Sequence, residues 1–109
     1  MTLSPATLHI LVALAGEDRH GYGIMLEVKR QSEGQFKLGP GTLYDNLQKL
    51  MERGMVEETK APSQNEDPRR RYYRLTRLGR SALSAEIARL ENVVRRAKVQ
   101  LRPAPGRSS

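Results

Sequence analysis

The chain contains no cysteine and no tryptophan among its 109 residues. The missing cysteines exclude disulfide bonds, thiolate metal sites and thiol catalysis, and they are typical of a reducing compartment. No segment approaches the ~20 consecutive apolar residues that a membrane-spanning helix requires. Residues 1–15 also lack the basic start of a secretory signal peptide. Together these absences predict a cytoplasmic protein without a membrane partner.

Acidic residues are scarce relative to basic ones. Nineteen Lys and Arg residues outnumber twelve Asp and Glu residues, which gives a net charge of +7 and a pI near 10.2. A basic surface favours nucleic acid, an anionic membrane or an acidic protein as partner, whereas solubility alone is the plainer explanation. The length predicts one domain that buries roughly two-thirds of its unfolded surface.

Two helices are predicted at the start of the chain. The first has Ser4 as its N-cap and Pro5 at its first helical position, and Gly16 ends it. The second follows the run His20-Gly21-Tyr22-Gly23 and ends within residues 31–34. Apolar side chains recur at helical spacing in both segments, so each helix is expected to cover a common core with one face.

A third helix is predicted to begin at Pro40 or Gly41, directly behind a Gly-Pro-Gly turn. Gly54 suits the position just beyond its end. The helix carries one narrow apolar stripe, formed by Leu43, Leu47 and Leu50. A glycine-rich turn before a helix brings backbone N–H groups close to whatever lies in front of them.

Two short strands are predicted after the third helix, at residues 55–58 and 71–75, and a polar loop that contains Pro62 and Pro68 joins them. Alternation divides the second strand into a core face with Tyr73 and Leu75 and an outer face with Tyr72 and Arg74. The order of three helices, strand, loop, strand and helix is that of a winged helix-turn-helix. The predicted fold class is therefore mainly α with a small two-stranded β-wing, followed by a long C-terminal helix.

The last helix is predicted to begin after Thr76 as its N-cap and to carry a heptad seam. The seam follows the spacing 4, 3, 4, 3, 4 through Leu83, Ile87, Leu90, Val94, Ala97 and Leu101. One small domain has little core left to cover this seam, so we expect a homodimer. The predicted division is a DNA-binding domain over residues 1–75, a dimerisation helix over 76–101 and a disordered tail over 102–109.

The side of the third helix that faces away from the stripe is expected to meet DNA. Gly41 shapes the approach, Thr42 and Tyr44 are placed to hold phosphate, and Gln48 and Lys49 have the donors that read base edges. Asp45 either accepts from cytosine or only restrains Lys49 at i+4. An ordinary surface helix with a mixed-charge face is the competing explanation.

A basic run at residues 69–71 stands where the loop returns into the second strand. Arg69, Arg70 and Arg71 are therefore expected to lie along a phosphate backbone or in a minor groove, as a wing does. A solvated charge run is the alternative, and the nearby third helix favours the wing.

No catalytic constellation is found. His9 and His20 are the only histidines; His20 heads the second helix, where it can cap the helix or touch phosphate. Glu57 and Glu58 are consecutive in a strand and point to opposite faces, so they form no acid/base pair. The Gly-Pro-Gly turn lacks the Gly-Lys-Ser/Thr ending of a nucleotide loop. We predict no enzyme activity, no metal site and no cofactor.

The sequence closely resembles the PadR-type transcriptional regulators over about residues 5–100. The resemblance rests on Leu8-His9-Ile10-Leu11 with Ala13-Leu14-Ala15, on His20 to Ile24, on Leu38 to Tyr44 with Leu47, Leu50 and Gly54, and on Arg69 to Thr76 with Gly79. It implies a winged helix with a dimerising C-terminal helix, a reading helix at positions Gly41 to Lys49 and a wing at Arg69 to Arg71. It also implies that Tyr22 and Tyr44 lie near the DNA, although a structural role for Tyr22 stays open.

The resemblance further implies a repressor that leaves a palindromic operator when a small molecule or a stress signal arrives. The last helix has no aromatic residue, so effectors held between aromatic side chains at a dimer centre are not expected. The alternatives are a winged-helix module for an acidic protein partner and a protein that coats DNA without sequence preference. The predicted DNA-binding residues are His20, Tyr22, Gly41, Thr42, Tyr44, Asp45, Gln48, Lys49, Arg69, Arg70 and Arg71.

Overall fold

The structure is a computed structural model that describes residues 3–62, 67 and 69–103. The elements in chain order are α1 (Pro5–Gly16), β1 (Arg19–His20), α2 (Gly21–Gln31), α3 (Pro40–Glu52), β2 (Val56–Thr59), β3 (Tyr72–Leu75) and α4 (Arg77–Leu101). The mainly helical winged-helix class predicted from the sequence is confirmed. Residues 63–66 and 68 of the predicted loop between the strands, and residues 104–109 of the predicted tail, lie outside the described residues.

Side-chain caps begin the first and last helices at the predicted residues. The Ser4 hydroxyl accepts a hydrogen bond from the Thr7 N–H at 3.2 Å. The Thr76 hydroxyl accepts from the Gly79 N–H at 3.1 Å. Each cap satisfies a backbone donor that the first helical turn leaves without an intrahelical partner. Local sequence therefore fixes where these two helices start.

The end of α3 is a Schellman motif at the predicted glycine. Gly54 has a φ of 73°, a left-handed conformation that favours glycine. Its N–H donates to the Met51 carbonyl at 3.0 Å, and the Met55 N–H donates to the Leu50 carbonyl at 2.9 Å. The chain thereby turns directly from α3 into β2.

The sheet has three strands rather than the predicted two. Its order is β1-β3-β2 with both pairs antiparallel, and β1 pairs Arg19 with Tyr73 and His20 with Tyr72. A strand of two residues is too short to show an alternation of apolar and polar side chains, so no sequence pattern predicted it. Its pairing attaches the start of α2 to the wing.

The core lies between the first three helices and one face of the sheet. The predicted stripe of α3 is buried, as are Tyr73 and Leu75 of β3. Tyr72, expected on the outer face with Arg74, is also only 3% exposed. Its ring contacts the edge of the His20 ring at a centroid distance of 5.3 Å. The third strand therefore covers a side chain that a two-stranded wing would leave in solvent.

The first turns of α4 belong to the core of their own chain. Leu83, which the sequence assigns to the dimer seam, is only 6% exposed and packs with the core residues of α1 to α3. The assignment of Leu83 to the dimer interface is therefore corrected. A heptad spacing does not reveal which turns of a helix pack within their own protomer. None of the helices in the described ranges is long and apolar enough to cross a membrane.

A buried carboxylate, Glu86, joins α4 to the start of the chain. Its side chain is 3% exposed and accepts hydrogen bonds from Arg89 Nε at 2.6 Å and Nη2 at 2.9 Å. The Leu3 N–H points at the same carboxylate at 3.4 Å. The hydrogen bonds from Arg89 hold the pKa of Glu86 below its ordinary value, against the opposing effect of burial.

Glu86 is expected to make the stability of the fold sensitive to acid. A lowered pKa means that the ionised carboxylate stabilises the folded state above its unfolded pKa, about 4.3. This contribution disappears as pH falls through the lower folded pKa. Thermal melts of Glu86→Gln by circular dichroism should show a lower Tm than wild type at pH 7 and a smaller difference near pH 3. Glu33→Gln, at an exposed position outside the helices, is the control; a constant difference for Glu86→Gln from pH 7 to 3 would contradict this role.

Candidate nucleic-acid interface

The outer side of α3 is exposed from its first turn onward. The buried stripe fixes the rotation of the helix, so the polar positions between its members face solvent. All six residues predicted from this helix are exposed: Gly41, Thr42, Tyr44, Asp45, Gln48 and Lys49. The structure therefore presents them along one helix without obstruction.

The polar residues of this surface hold one another in place. Lys49 Nζ and Asp45 Oδ2 are 3.1 Å apart, which corresponds to one of the two roles that the sequence offered for Asp45. Both side chains are more than 60% exposed. Exposed helical pairs of this kind contribute about 0.3–0.5 kcal/mol, so a nearby acceptor can displace Asp45 at little cost. Lys49 is thus oriented but remains available.

His20 occupies the junction between β1 and α2. Its Nδ1 accepts a hydrogen bond from the Gly23 N–H at 3.0 Å and so caps α2. The structure thus shows the capping role, one of the two that the sequence offered, and leaves the contact with phosphate a prediction. Its Nε2 lies 2.9 Å from Nη1 of Arg70, a residue 50 positions later in the chain. The β1–β3 pairing is what brings the wing to this histidine.

Two of the three wing arginines have carboxylate partners. Asp67 accepts hydrogen bonds from the guanidinium of Arg69 at 3.3 Å and from its backbone N–H at 2.9 Å, and both lower the pKa of Asp67, the guanidinium more strongly. Arg71 lies 3.7 Å from Glu58 of β2. Arg70 differs, since no carboxylate of the described residues lies within 4.0 Å of its guanidinium.

A cavity of about 520 Å³ opens between the start of α2, the Tyr44 side chain of α3 and the wing. Six predicted residues line it, namely His20, Tyr22, Tyr44, Arg69, Arg70 and Arg71. The other five predicted residues lie along α3 outside the cavity. Gly21 and Tyr73 also line it, and neither is among the site residues predicted from the sequence. Their only signal was position, since Gly21 adjoins His20 and Tyr73 follows the basic run.

The Tyr44 side chain crosses from α3 to the start of α2 and lies against Gly21. A Cβ atom added at Gly21 would overlap the Tyr44 hydroxyl oxygen and lie 2.9 Å from Cζ. Burial raises the pKa of the neighbouring Tyr73 above its ordinary value, and Glu58 and Tyr44 act in the same direction. The Tyr73 hydroxyl is therefore neutral at pH 7 and able to donate a hydrogen bond.

The second half of α4 leaves an apolar surface uncovered. Ile87 is 43% exposed, Val94 is 51% exposed and Leu101 is 82% exposed. A groove of about 540 Å³ runs along this side of the helix. It is lined by Ile87, Leu90, Val94 and Val99, with Glu91, Arg95, Lys98 and Arg102 at its rim. Ala97 is also exposed, so every member of the predicted seam except Leu83 is at least partly accessible.

Within residues 3–62, 67 and 69–103, no group of three or more His, Asp or Glu residues is arranged to hold a metal ion. The buried side-chain nitrogen and oxygen atoms of these residues all have hydrogen-bond partners.

Three helices, an antiparallel wing and an exposed third helix define this molecule as a winged helix-turn-helix protein. The chain belongs to the PadR-like family of transcriptional regulators, since the model named Transcriptional regulator PadR-like family matches residues 10–85. Transcriptional regulator Rv3488 of Mycobacterium tuberculosis is 35% identical over 89 residues, which are 81% of this chain and 78% of that protein.

Solved structures show the same fold at lower identity. A PadR family transcription regulator from Clostridium difficile R20291 has a TM-score of 0.75 at 22% identity, covering 91% of this chain and all of that one. The PadR-like transcriptional regulator BC4206 from Bacillus cereus has a TM-score of 0.75 at 19% identity, covering 90% of this chain and 92% of the other. These similarities extend over α4 as well as the winged helix.

Gly21→Ala is expected to displace the Tyr44 side chain rather than to destabilise the fold. The added methyl group overlaps the hydroxyl end of Tyr44, which is 49% exposed and can turn towards solvent, and alanine is the better helix former. Urea unfolding should therefore show no loss of stability for Gly21→Ala, as for Gly41→Ala, where no atom lies within 4 Å. A loss of about 1–3 kcal/mol, the usual cost of overpacking, that disappears in a Tyr44→Ala background would contradict this prediction.

Proposed function

We propose that this PadR-family protein is a sequence-specific DNA-binding repressor that acts as a homodimer in the cytoplasm. Residues 1–75 bind DNA and residues 76–101 form the dimerisation helix. A small molecule or a stress signal releases it from a palindromic operator. The protein catalyses no reaction. The observation that carries the proposal is the convergence of α3, the start of α2 and the wing arginines on one exposed basic surface.

The geometry of this surface supports a division of labour between phosphate and base contacts. Thr42, in the first turn of α3, and Tyr44 hold phosphate beside the cavity, while Asp45, Gln48 and Lys49 follow along the exposed side where base edges pass. The wing arginines line the same cavity and reach the adjoining phosphate backbone. Gly41 leaves open space in front of the helix start.

The uncovered groove of α4 supports a second copy of the chain as its occupant. The apolar residues of the groove have the heptad spacing of a helix that pairs with the same helix of a second chain. The rim of the groove carries charges of both signs. Two-fold symmetry then places two reading helices about 34 Å apart, one turn of B-DNA, which matches a palindromic site. The interface in this proposal comprises Ile87, Leu90, Val94, Ala97 and Leu101.

Salt-dependent binding to selected DNA tests the proposal directly. A duplex enriched from a random library and its scrambled counterpart are compared by fluorescence anisotropy at 50 and 200 mM salt. The selected duplex should bind ~10³-fold tighter or better, and neutralising 6–10 phosphates should weaken binding by about 10³–10⁵ over this range. Equal affinity for both duplexes points to a non-specific DNA-coating protein, and absence of binding points to a protein partner.

Lys49→Ala and Arg71→Ala are expected to differ in what they change. Arg71 has a phosphate role, so its loss should weaken selected and scrambled DNA alike and lower the salt slope by about 1. Lys49 reads a base, so its loss should in addition relax preference at one position, at a cost of about 1–3 kcal/mol for the selected duplex. If Lys49→Ala weakens both duplexes equally, Lys49 contacts phosphate only.

Leu90→Asp is expected to yield monomers that no longer bind the selected duplex, because a carboxylate in the groove opposes burial. Ala85→Asp adds the same charge to an exposed position on another side of α4 and should leave the dimer intact. Light scattering gives the mass of each variant. A Leu90→Asp variant with the mass of a dimer would remove this groove from the interface.

A further inference from the structure

A second cavity, the α1 cavity, lies between the start of α1 and the second half of α3. It has a volume of about 240 Å³, and its polar lining is Ser4, Thr7, Asn46, Lys49 and Arg53. Among the described residues that line it, two are exposed cations and none is acidic. The α1 cavity therefore suits an anion that accepts hydrogen bonds.

The α1 cavity and the cavity beside the wing lie on opposite flanks of α3. Tyr44 borders the cavity beside the wing, and Arg53, nine residues later, borders the α1 cavity. Arg53 keeps helical backbone angles at the end of α3, so the period of about 100° per residue holds up to it. Nine such steps place the two residues about 180° apart around the helix axis. The exposed side that carries Asp45 and Gln48 lies between them.

Hydrogen bonds fix the orientation of the Asn46 amide at the edge of the α1 cavity. Thr7 Oγ1 donates to Asn46 Oδ1 at 2.9 Å, and Asn46 Nδ2 donates to the Thr42 carbonyl at 2.8 Å. Because a carbonyl only accepts, the amide nitrogen must face Thr42 and the amide oxygen must face Thr7. The amide nitrogen carries two hydrogens, and the bond to Thr42 uses one of them. The second hydrogen remains for an acceptor in the cavity.

A helix that enters the major groove meets two phosphate backbones. An α-helix is about 10–12 Å in diameter and the groove is about 12 Å wide, so one DNA strand passes along each flank of the helix. In the proposed function, Tyr44 and the wing arginines contact the backbone on one flank. The α1 cavity lies on the other flank and so faces the second backbone.

We infer that the α1 cavity binds one backbone phosphate of the DNA strand opposite to the strand held beside the wing. Arg53 supplies positive charge, and Asn46 donates its second amide hydrogen to the same phosphate. Thr7 is a positioning residue, because its hydroxyl sets which way the Asn46 amide faces. The site rests on the proposed function and extends the DNA interface to two residues, Asn46 and Arg53, that the sequence did not indicate.

Arg53→Gln removes the charge and keeps most of the side-chain length. Affinity should fall alike for the selected and the scrambled duplex, and the salt slope should decrease by about 0.9, the value for one neutralised phosphate. Arg96→Gln, at an exposed position in the second half of α4 outside both cavities, is the matched control and should leave the slope unchanged. An unchanged slope for Arg53→Gln would overturn the site.

Uncharged phosphates show which strand each residue contacts. Methylphosphonate groups replace the phosphates of the selected duplex one at a time, and the wild-type protein should lose affinity at positions on both strands of each half-site. In Arg53→Gln one of these substitutions should no longer matter, because its partner on the protein is already gone. Arg71→Ala should show the same insensitivity on the other strand. If both variants become insensitive on the same strand of a half-site, the inference is wrong.

Asn46→Ala tests the uncharged donor. Affinity for the selected duplex should fall on the order of tenfold, the usual worth of a hydrogen bond to a charged group, while the salt slope stays the same. Thr7→Val removes only the hydroxyl that orients the amide, so we expect a smaller loss that disappears in the Asn46→Ala background. Thr7→Ser keeps the hydroxyl and should lose much less than Thr7→Val. Wild-type affinity for Asn46→Ala, or a Thr7→Val loss that persists without Asn46, would overturn the assignment.

Failure of this site can be told apart from failure of the proposed function. A wild-type protein that binds no duplex overturns the proposed function, and the site with it. Binding of the selected duplex that depends on Arg71 but on neither Arg53 nor Asn46 overturns the α1 cavity as a phosphate site and leaves the proposed function standing.

Discussion

The pairing of β1 with β3 is the constraint on which the rest of the candidate site depends. These few backbone hydrogen bonds join the segment before α2 to the strand that leads out of the wing. They set His20 beside Arg70 and cover Tyr72, so a helix cap and a loop arginine become neighbours. Without this pairing the wing would be a two-stranded ribbon, which is marginally stable alone.

The basic side chains of the exposed surface form ion pairs with carboxylates that another anion can replace. Lys49, Arg69 and Arg71 each lie near an exposed or half-exposed carboxylate, and such surface pairs contribute little stability. A phosphate can replace each carboxylate at small cost, yet the carboxylates reduce the attraction of the surface for any anion. In the proposed function this arrangement disfavours loose, non-specific contacts and favours a duplex that satisfies several positions at once.

The long last helix has two parts with different environments. Up to Glu86 it packs on its own domain, and the ion pair of Glu86 with Arg89 lies at the boundary. Beyond that point nearly all side chains are exposed. A buried carboxylate is tolerated there because Arg89 and the Leu3 N–H satisfy it. The first turns of the helix are thereby fixed to the winged-helix domain. In the proposed dimer, this contact would set the orientation of each winged-helix domain relative to the paired helices.

Sequence alone determined the features that depend on neighbours within a few residues. The caps at Ser4 and Thr76, the glycine end of α3 and its buried stripe all follow from local hydrogen bonding and helical period, and all are confirmed. Tertiary structure decided what depends on distant pairing: the third strand and the His20–Arg70 contact. Such contacts produce no periodic pattern of apolar residues in the sequence. Each joins segments about fifty residues apart, and the backbone geometry that brings them together is not encoded by any single residue type.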